Sequence, residues 1–217
     1  DYICSDPDLP SGVALITVDG HGENCIVVAS GANGTLLPPD IKDAEKEIAS
    51  ACILLMQLEI PMETVEYAAK KAKESNVKVI LNPAPAQSLS NDLLKNIYML
   101  IPNETEAEII SGIKVSDWES AKKAADVIYS KGVDIVVITM GSSGALLKDG
   151  DEYHKIPALK VNAVDTTAAG DTFCGAISVA ISEGKNLVDA IEFANQCAAV
   201  TVTRMGAQAS IPHRREL

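Results

Sequence analysis

Aromatic side chains are scarce in this chain. They make up 4% of its 217 residues, whereas hydrophobic residues as a whole make up 47%. This hydrophobic fraction excludes an intrinsically disordered chain, and the length suffices for one large core. Ala, Val and Ile must fill most of that core, which is typical of a sheet covered by helices on both faces.

Positive charge is also in short supply. The sequence has 18 Lys and Arg against 30 Asp and Glu, a formal net charge of -12. This balance argues against nucleic acid or an anionic membrane as a partner. It does not exclude a nucleotide, since a bound phosphate responds mainly to the amides next to it.

Long apolar runs, a signal-peptide pattern and paired cysteines are missing as well. No apolar run reaches ~18 residues, so the sequence predicts no transmembrane helix. The cysteines are odd in number and scattered, no C-x-x-C spacing occurs, and there are only three histidines. We therefore expect reduced, buried thiols in a cytoplasmic protein and no zinc site. The cysteines are Cys4, Cys25, Cys52, Cys174 and Cys197.

Strand and helix patterns alternate along most of the chain. Short apolar runs at 52–58, 77–81, 97–101 and 134–139 predict buried strands. Periodic segments at 38–50, from 61, from 103, at 117–131, up to Gly184 and at 187–202 predict helices. This order predicts an α/β fold with a mostly parallel, doubly wound sheet flanked by helices.

Two β-rich runs precede that pattern. Residues 12–18 and 23–29 are joined by Asp19-Gly-His-Gly22, which predicts a β-hairpin. An isolated hairpin is marginally stable in water, so a covering or interface role competes with that of a plain surface hairpin.

The stretch from Val161 to Asp171 carries the strongest chemical signal. Its small residues Ala168–Gly170 lead into a helical pattern, so a backbone can approach a ligand closely there. The first amides of a helix lack internal partners and attract phosphate. A carboxylate at Asp171 would repel phosphate unless it accepts a proton from an attacking hydroxyl. By itself, an Asp in this position is most often a helix cap.

This run, Asp165-Thr-Thr-Ala-Ala-Gly-Asp171, resembles the second signature of the PfkB family of sugar and nucleoside kinases, D-T-x-[GA]-A-G-D, in the form found in the ribokinase branch. Asn103-Glu-Thr-Glu106 is similar to the family's N-x-x-E motif, and Thr139 to Gly144 to its Thr-x-Gly-x-x-Gly. The resemblance covers residues 6–217. The family's Gly-Gly-Lys-Gly-Ala-Asn sugar motif is not among these 217 residues.

The resemblance implies a ribokinase-like three-layer fold. Residues 1–35 would form a partial β lid with the return to the main domain, and residues 36–217 the α/β nucleotide-binding and catalytic domain, without its amino-terminal part. It further implies ATP-dependent phosphorylation of D-ribose at O5, with Mg²⁺ and K⁺, in a homodimer formed through the lid. The alternatives are another PfkB kinase (fructokinase, 2-keto-3-deoxygluconate kinase or nucleoside kinase) or a nucleotide-binding fragment without activity.

The resemblance also assigns roles to individual residues. Asp171 is the general base, and Glu59 and Asp171 contact the sugar. Glu106 organises Mg²⁺ through water. The anion hole consists of Ala168, Ala169 and Gly170. The nucleotide contacts are Asn103, Thr139, Met140, Gly141, Ser142, Ser143, Gly144, Gly170 and Asn195. The K⁺ ligands are Asp165, Thr167 and Ser210, together with Thr201, Arg204 and Gly206 through their carbonyls.

Several of these residues have an ordinary structural explanation. Glu59 is equally a solvated loop carboxylate, and Asn195 an exposed helical residue. The acids after Asn103 are typical of helix capping. Gly141 and Gly144 are typical of a β-turn, and the absence of a following Gly-Lys-Ser/Thr excludes a Walker A loop.

Overall fold

A small antiparallel sheet begins the fold in the computed structural model, which describes residues 2–18 and 24–217. Its strands are β1 (Val13–Val18) and β2 (Asn24–Ala29), with Val13 opposite Ala29. The hairpin is therefore confirmed, while its predicted turn at 19–22 lies outside the described residues. This sheet is separate from the central one.

The central sheet has six strands in chain order. They are β3 (Ile53–Met56), β4 (Lys78–Leu81), β5 (Met99–Leu100), β6 (Ile135–Thr139), β7 (Ala145–Asp149) and β8 (Glu152–Ile156). The pairs from β3 to β6 are parallel, as predicted, and β7 and β8 continue the sheet as an antiparallel ribbon.

Helices cover both faces of this sheet. They are α1 (Glu45–Ser50), α2 (Met62–Glu74), α3 (Asn91–Leu94), α4 (Glu104–Ser111), α5 (Trp118–Ser130), α6 (Ala169–Ser182) and α7 (Leu187–Thr201). The helix predicted from Pro38 is a 3-10 segment over Pro38–Ala44 before α1 begins, a common form at helix starts.

Alternate strand residues supply the two cores. Val79 and Leu81 of β4 pack with the layer of α2, α4 and α5, while Ile80 between them packs with α6 and α7. Period-two alternation produces this division, and it makes the strands apolar on both faces. The result is the three-layer α/β arrangement that was predicted.

Two expectations need correction. Strand β8 and helix α3 were not predicted. The sequence of β8, Glu-Tyr-His-Lys-Ile, is mostly polar and lies at a sheet edge, and α3 has only four residues. The expectation of buried thiols holds for Cys174 and Cys197 but is wrong for Cys4 and Cys52, which are exposed. Both lie outside the packed elements, and the side chain of Cys25 is outside the described part of the chain.

Within the described ranges, none of the helices combines the length and the apolar character needed to cross a membrane.

Candidate active site

A cleft of about 450 Å³ lies where the parallel strands end. Ligands of open α/β sheets bind at this edge, beyond the carboxyl ends of the strands. The predicted site residues that line it are Glu59, Asn103, Glu106, Thr139, Thr167, Ala168, Ala169, Gly170 and Asp171. The predicted site residues outside its walls are Met140, Gly141, Ser142, Ser143, Gly144, Asn195, Asp165, Thr201, Arg204, Gly206 and Ser210.

The start of α6 forms one wall of the cleft, and it begins without a side-chain cap. Ala168 precedes the helix in the left-handed conformation, with φ 60° and ψ 10°. A left-handed residue followed by a right-handed one turns successive amides toward one point and favours an anion there. We call Ala168–Asp171 the anion-hole turn.

The amides of this turn are largely free. That of Ala169 donates to the Thr166 carbonyl at a long 3.3 Å, and helical bonding starts with Thr172 donating to Ala168 at 2.9 Å. In the described part of the chain, the amides of Ala168, Gly170 and Asp171 have no acceptor. Because these residues line the cleft, their unpaired amides and the positive end of the helix dipole are available to a phosphate.

The carboxylate of Asp171 lies in the same cleft. It is exposed, and α6 has no side-chain cap bond, so Asp171 does not act as a cap. Among the described residues, no group donates a hydrogen bond to it. An acid that is free, accessible and next to unpaired amides has the arrangement that a proton acceptor at a phosphoryl-transfer site needs.

Asn103 and Glu106 also line the cleft, and they close the start of α4. The Asn103 amide donates to Glu106 at 2.8 Å and its side chain donates at 3.0 Å, while the Glu106 amide donates back at 2.9 Å. The structure therefore confirms helix capping here. Glu106 is 5% exposed, and burial raises the pKa of its carboxyl above the ordinary value, although the Asn103 amide opposes that shift.

Several cleft residues were missed by sequence reasoning, among them Asn82 and Cys174. Asn82 follows β4, and its amide group donates to the Ile101 carbonyl at 3.0 Å. The signal that could have found it is its place just past the carboxyl end of a buried parallel strand, where polar residues point into the ligand crevice. Cys174 lines the cleft floor, and burial, with the charges of Asp171 and Glu106, raises its pKa to about 12.

The segment after β6 is held by its last glycine. Gly144 has φ +107°, and an added Cβ would meet the Ile156 carbonyl at 2.1 Å, so only glycine fits. Gly141 has φ +49° but open space around it. The intervening Ser142 and Ser143 are exposed. The segment is a 3-10 turn over Gly141–Ser143, close to the β-turn alternative.

Asn195 is buried on α7, which excludes the exposed-residue alternative. It is 8% exposed, and its side-chain amide lies 3.5 Å from the Ile156 carbonyl and 3.3 Å from the Pro157 carbonyl. It therefore holds the strand exit against which Gly144 packs. Its contact with a nucleotide stays a prediction.

The loop before the anion-hole turn is tied to residues 201–210, which we call the tail. The carbonyl of Val202 accepts from Val164 at 2.7 Å and from Asp165 at 3.2 Å. The Asp165 carboxylate accepts from the amides of Thr167 and Gly206, each at 2.9 Å. The Thr167 hydroxyl and these amides lower the pKa of Asp165.

The remaining predicted cation ligands lie along the tail. Thr201 and Ser210 are fully buried, and the Ser210 hydroxyl donates to the Ala207 carbonyl at 2.6 Å. The amide of Arg204 donates to the Thr201 carbonyl at 3.0 Å, and its guanidinium pairs with Glu216 at 2.9 Å. Hydrogen bonds thus join Asp165 to Gly206 and Arg204 to Thr201 beside the anion-hole turn. The role of the whole set as a K⁺ site stays a prediction.

Comparison with known proteins identifies the same family that the sequence motifs resemble. A sequence model described as the pfkB family of carbohydrate kinases matches residues 1–214. The chain is 48% identical over 206 residues to a ribokinase from Haemophilus influenzae, covering 95% of this chain and 67% of the relative. It is 44% identical over 217 residues to a ribokinase from Staphylococcus aureus, covering 100% of this chain and 71% of the relative.

Solved structures share the fold. The structure of Arabidopsis thaliana ribokinase complexed with ribose and ATP matches with a TM-score of 0.89 at 33% identity. The match covers 96% of this chain and 68% of the Arabidopsis chain.

Proposed function

This chain belongs to the pfkB family of carbohydrate kinases, and from that premise we propose that it transfers the γ-phosphoryl group of ATP to the 5-hydroxyl of D-ribose. The single observation that carries the proposal is the free carboxylate of Asp171 beside unpaired amides of the anion-hole turn. The relatives named ribokinases and the Arabidopsis complex with ribose and ATP support ribose as the acceptor.

In the proposed reaction, Asp171 accepts the proton of the 5-hydroxyl as its oxygen attacks the γ-phosphorus. The bond between that phosphorus and the β–γ bridging oxygen breaks, and ADP leaves with the bridging electrons. The amides of the anion-hole turn stabilise the negative charge on the transferred group. Positioning and electrostatics supply most of the acceleration in such reactions.

Both substrates have candidate contacts around this centre. Glu59 lines the cleft and would bind the sugar. Asn103 and Thr139 line it as well and would contact the nucleotide, with Gly141–Ser143 at its outer edge. Asn195 would contribute through the strand exit that it holds.

The residues also suit two cations. Glu106 is a buried acid at the cleft whose two oxygens each accept one N–H, which leaves lone pairs for the water shell of Mg²⁺. When bound, Mg²⁺ neutralises phosphate charge. The oxygen-rich tail would hold K⁺ with Asp165, Thr167, Thr201, Arg204, Gly206 and Ser210.

The small sheet is the proposed lid. Gly12, Val13, Ala14 and Val28 line the cleft, so residues 1–35 would cover the sugar bound in the domain formed by residues 36–217. Apolar side chains on the hairpin are exposed, with Leu15 at 67% and Val27 at 62%. An exposed apolar sheet face favours association, and we infer a homodimer through it.

A coupled assay of ADP release with a panel of sugars tests the proposal. We expect the highest kcat/KM with D-ribose and a C5 phosphomonoester as the product by phosphorus NMR. The matched control is 5-deoxy-D-ribose, which lacks the acceptor hydroxyl and should give no sugar phosphate. Preference for fructose, 2-keto-3-deoxygluconate or a nucleoside would reassign the acceptor. ATP binding without turnover on any substrate would indicate a nucleotide-binding fragment.

A further inference from the structure

A buried hydroxyl pair connects the anion-hole turn to the tail. Thr201 ends α7 and is 0% exposed, and Thr172 lies in the first turn of α6 and is 5% exposed. The Thr201 hydroxyl donates to the Thr172 hydroxyl at 3.0 Å. Thr172 directly follows Asp171, and its own amide makes the first helical bond, to Ala168.

The anion-hole turn is therefore held from two sides. On the loop side, the carboxylate of Asp165 and the carbonyl of Val202 tie the incoming chain to the tail. On the helix side, the hydroxyl pair ties the first turn of α6 to the end of α7. Both attachments lead to the same tail segment.

Such double attachment matters because of the backbone at Ala168. A residue with a Cβ adopts the left-handed conformation at a cost, and it keeps that conformation only where its surroundings fix it. If the incoming loop or the first turn of α6 moved, the amides of Ala168 and Gly170 would no longer point toward the same position. A buried bond to a rigid helix end supplies the required constraint on the α6 side.

We propose that Thr172 and Thr201 are positioning residues for phosphoryl transfer, and that their hydroxyl bond transmits the arrangement of the tail to the anion-hole turn. The inference rests on the proposed function.

Substitution of both threonines distinguishes a positioning role of the hydroxyl bond from a simple packing role of the two side chains. Valine has nearly the shape of threonine, so replacing both residues removes the bond and leaves no hydroxyl unpaired. Replacing both partners of a buried hydrogen bond is often almost neutral for stability, whereas replacing one leaves an unsatisfied group. The double variant therefore keeps the fold while losing the directional link.

The experiment compares wild type with the double variant Thr172→Val/Thr201→Val. We expect an almost unchanged Tm, a kcat lower by about tenfold and a KM for D-ribose within about twofold, since small misplacements of catalytic groups reduce turnover more than binding. Titration calorimetry with inorganic phosphate provides a readout without turnover. We expect the phosphate affinity of the double variant to be about tenfold lower than that of wild type in the same buffer.

Two variants serve as controls. Thr201→Ser keeps the hydroxyl and should restore kcat and phosphate affinity to near wild-type values. Ser178→Ala removes a hydroxyl from the same helix that, among the described residues, bonds only to the Cys174 carbonyl. This variant should change neither quantity.

The possible failures are distinguishable. If wild type phosphorylates no sugar, the proposed function fails, while the phosphate titration still tests the link. A double variant with wild-type kcat and phosphate affinity overturns the inference. A loss of the same size in Ser178→Ala also overturns it, because the effect would then be general to α6.

Discussion

The two helix starts that line the cleft differ in one respect. At α4, Asn103 and Glu106 satisfy each other's amides, so the terminus is closed. At α6, Ala168 provides no cap, and the amides remain open to the cleft. A cap at α6 would compete with phosphate for the same donors. The capped start of α4 therefore contributes local stability to the site, whereas the uncapped start of α6 is available to bind an anion.

Removing the free acid at the open start should have the largest effect. Asp171→Asn is expected to lower kcat by about 10³-fold, in the range of general base catalysis, and to leave the Tm unchanged because the carboxylate bonds to no described residue. Steady-state kinetics with far-UV circular dichroism measures both. Wild-type turnover in this variant would reject the base assignment.

Gly170→Ala should separate stability from activity. The added Cβ meets no described atom within 4 Å, and alanine favours a helix over glycine by about 0.5–1 kcal/mol. The added methyl group would, however, obstruct the path by which a phosphate reaches the unpaired amides of the anion-hole turn. We expect a higher Tm with kcat/KM lower by about 10²-fold, as on losing one oxyanion donor.

Gly175→Ala is the matched control for that substitution. Gly175 is on the same helix, also has free space around its Cβ position and does not line the cleft. The Gly175→Ala variant should be more stable than wild type and keep its activity. Equal activity losses in both variants would contradict the role of the anion-hole turn.

At the closed start, Asn103→Ala should reduce stability. The variant loses the acceptor for the Glu106 amide and a donor to the buried Glu106 carboxylate, at a cost of about 1–2 kcal/mol. Urea unfolding measures the loss, and the KM for MgATP should rise. Asn186→Ala removes the cap of α7, whose acceptor lies 2.9 Å from the Asp189 amide. It should lose similar stability with no change in KM.

Ala168→Gly tests the left-handed backbone conformation at the open start of α6. Relief of the left-handed alanine should stabilise the fold by about 1 kcal/mol, measured by thermal or urea unfolding. Ala169→Gly, at the adjacent helical position, should instead destabilise it by about 0.5–1 kcal/mol. If both variants changed the stability in the same direction, the backbone at Ala168 would not differ from the helical backbone at Ala169 as described.

The smallest effect concerns pH. Because the pKa of Asp165 is lowered below its ordinary value of 3.8, its bonds stabilise the fold above pH 3.8, and this contribution is lost as pH falls through the lower folded value. Asp165→Asn should therefore be less stable than wild type at pH 7, by an amount that decreases below pH 3.8. Urea titrations at several pH values measure it, and a gap independent of pH would contradict the assignment.

Sequence reasoning located the open helix start but not its geometry. Small residues before a helical pattern predict exposed amides near Gly170, yet only the structure gives Ala168 its positive φ, since that depends on the attachments around it. Bonds between distant residues, such as Thr172 with Thr201 and Asn195 with Pro157, leave no local pattern. Strand β8 was missed for a different reason, because edge strands need little hydrophobicity.

The glycine that ends the turn after β6 has a practical consequence for protein engineering. Gly144 lies so close to the Ile156 carbonyl that no other residue fits, whereas Ser142 and Ser143 face solvent. A library that randomises these two serines would vary the exposed part of the proposed nucleotide site without disturbing its anchor. Screening it with different nucleoside triphosphates would test whether the two positions control the choice of nucleotide.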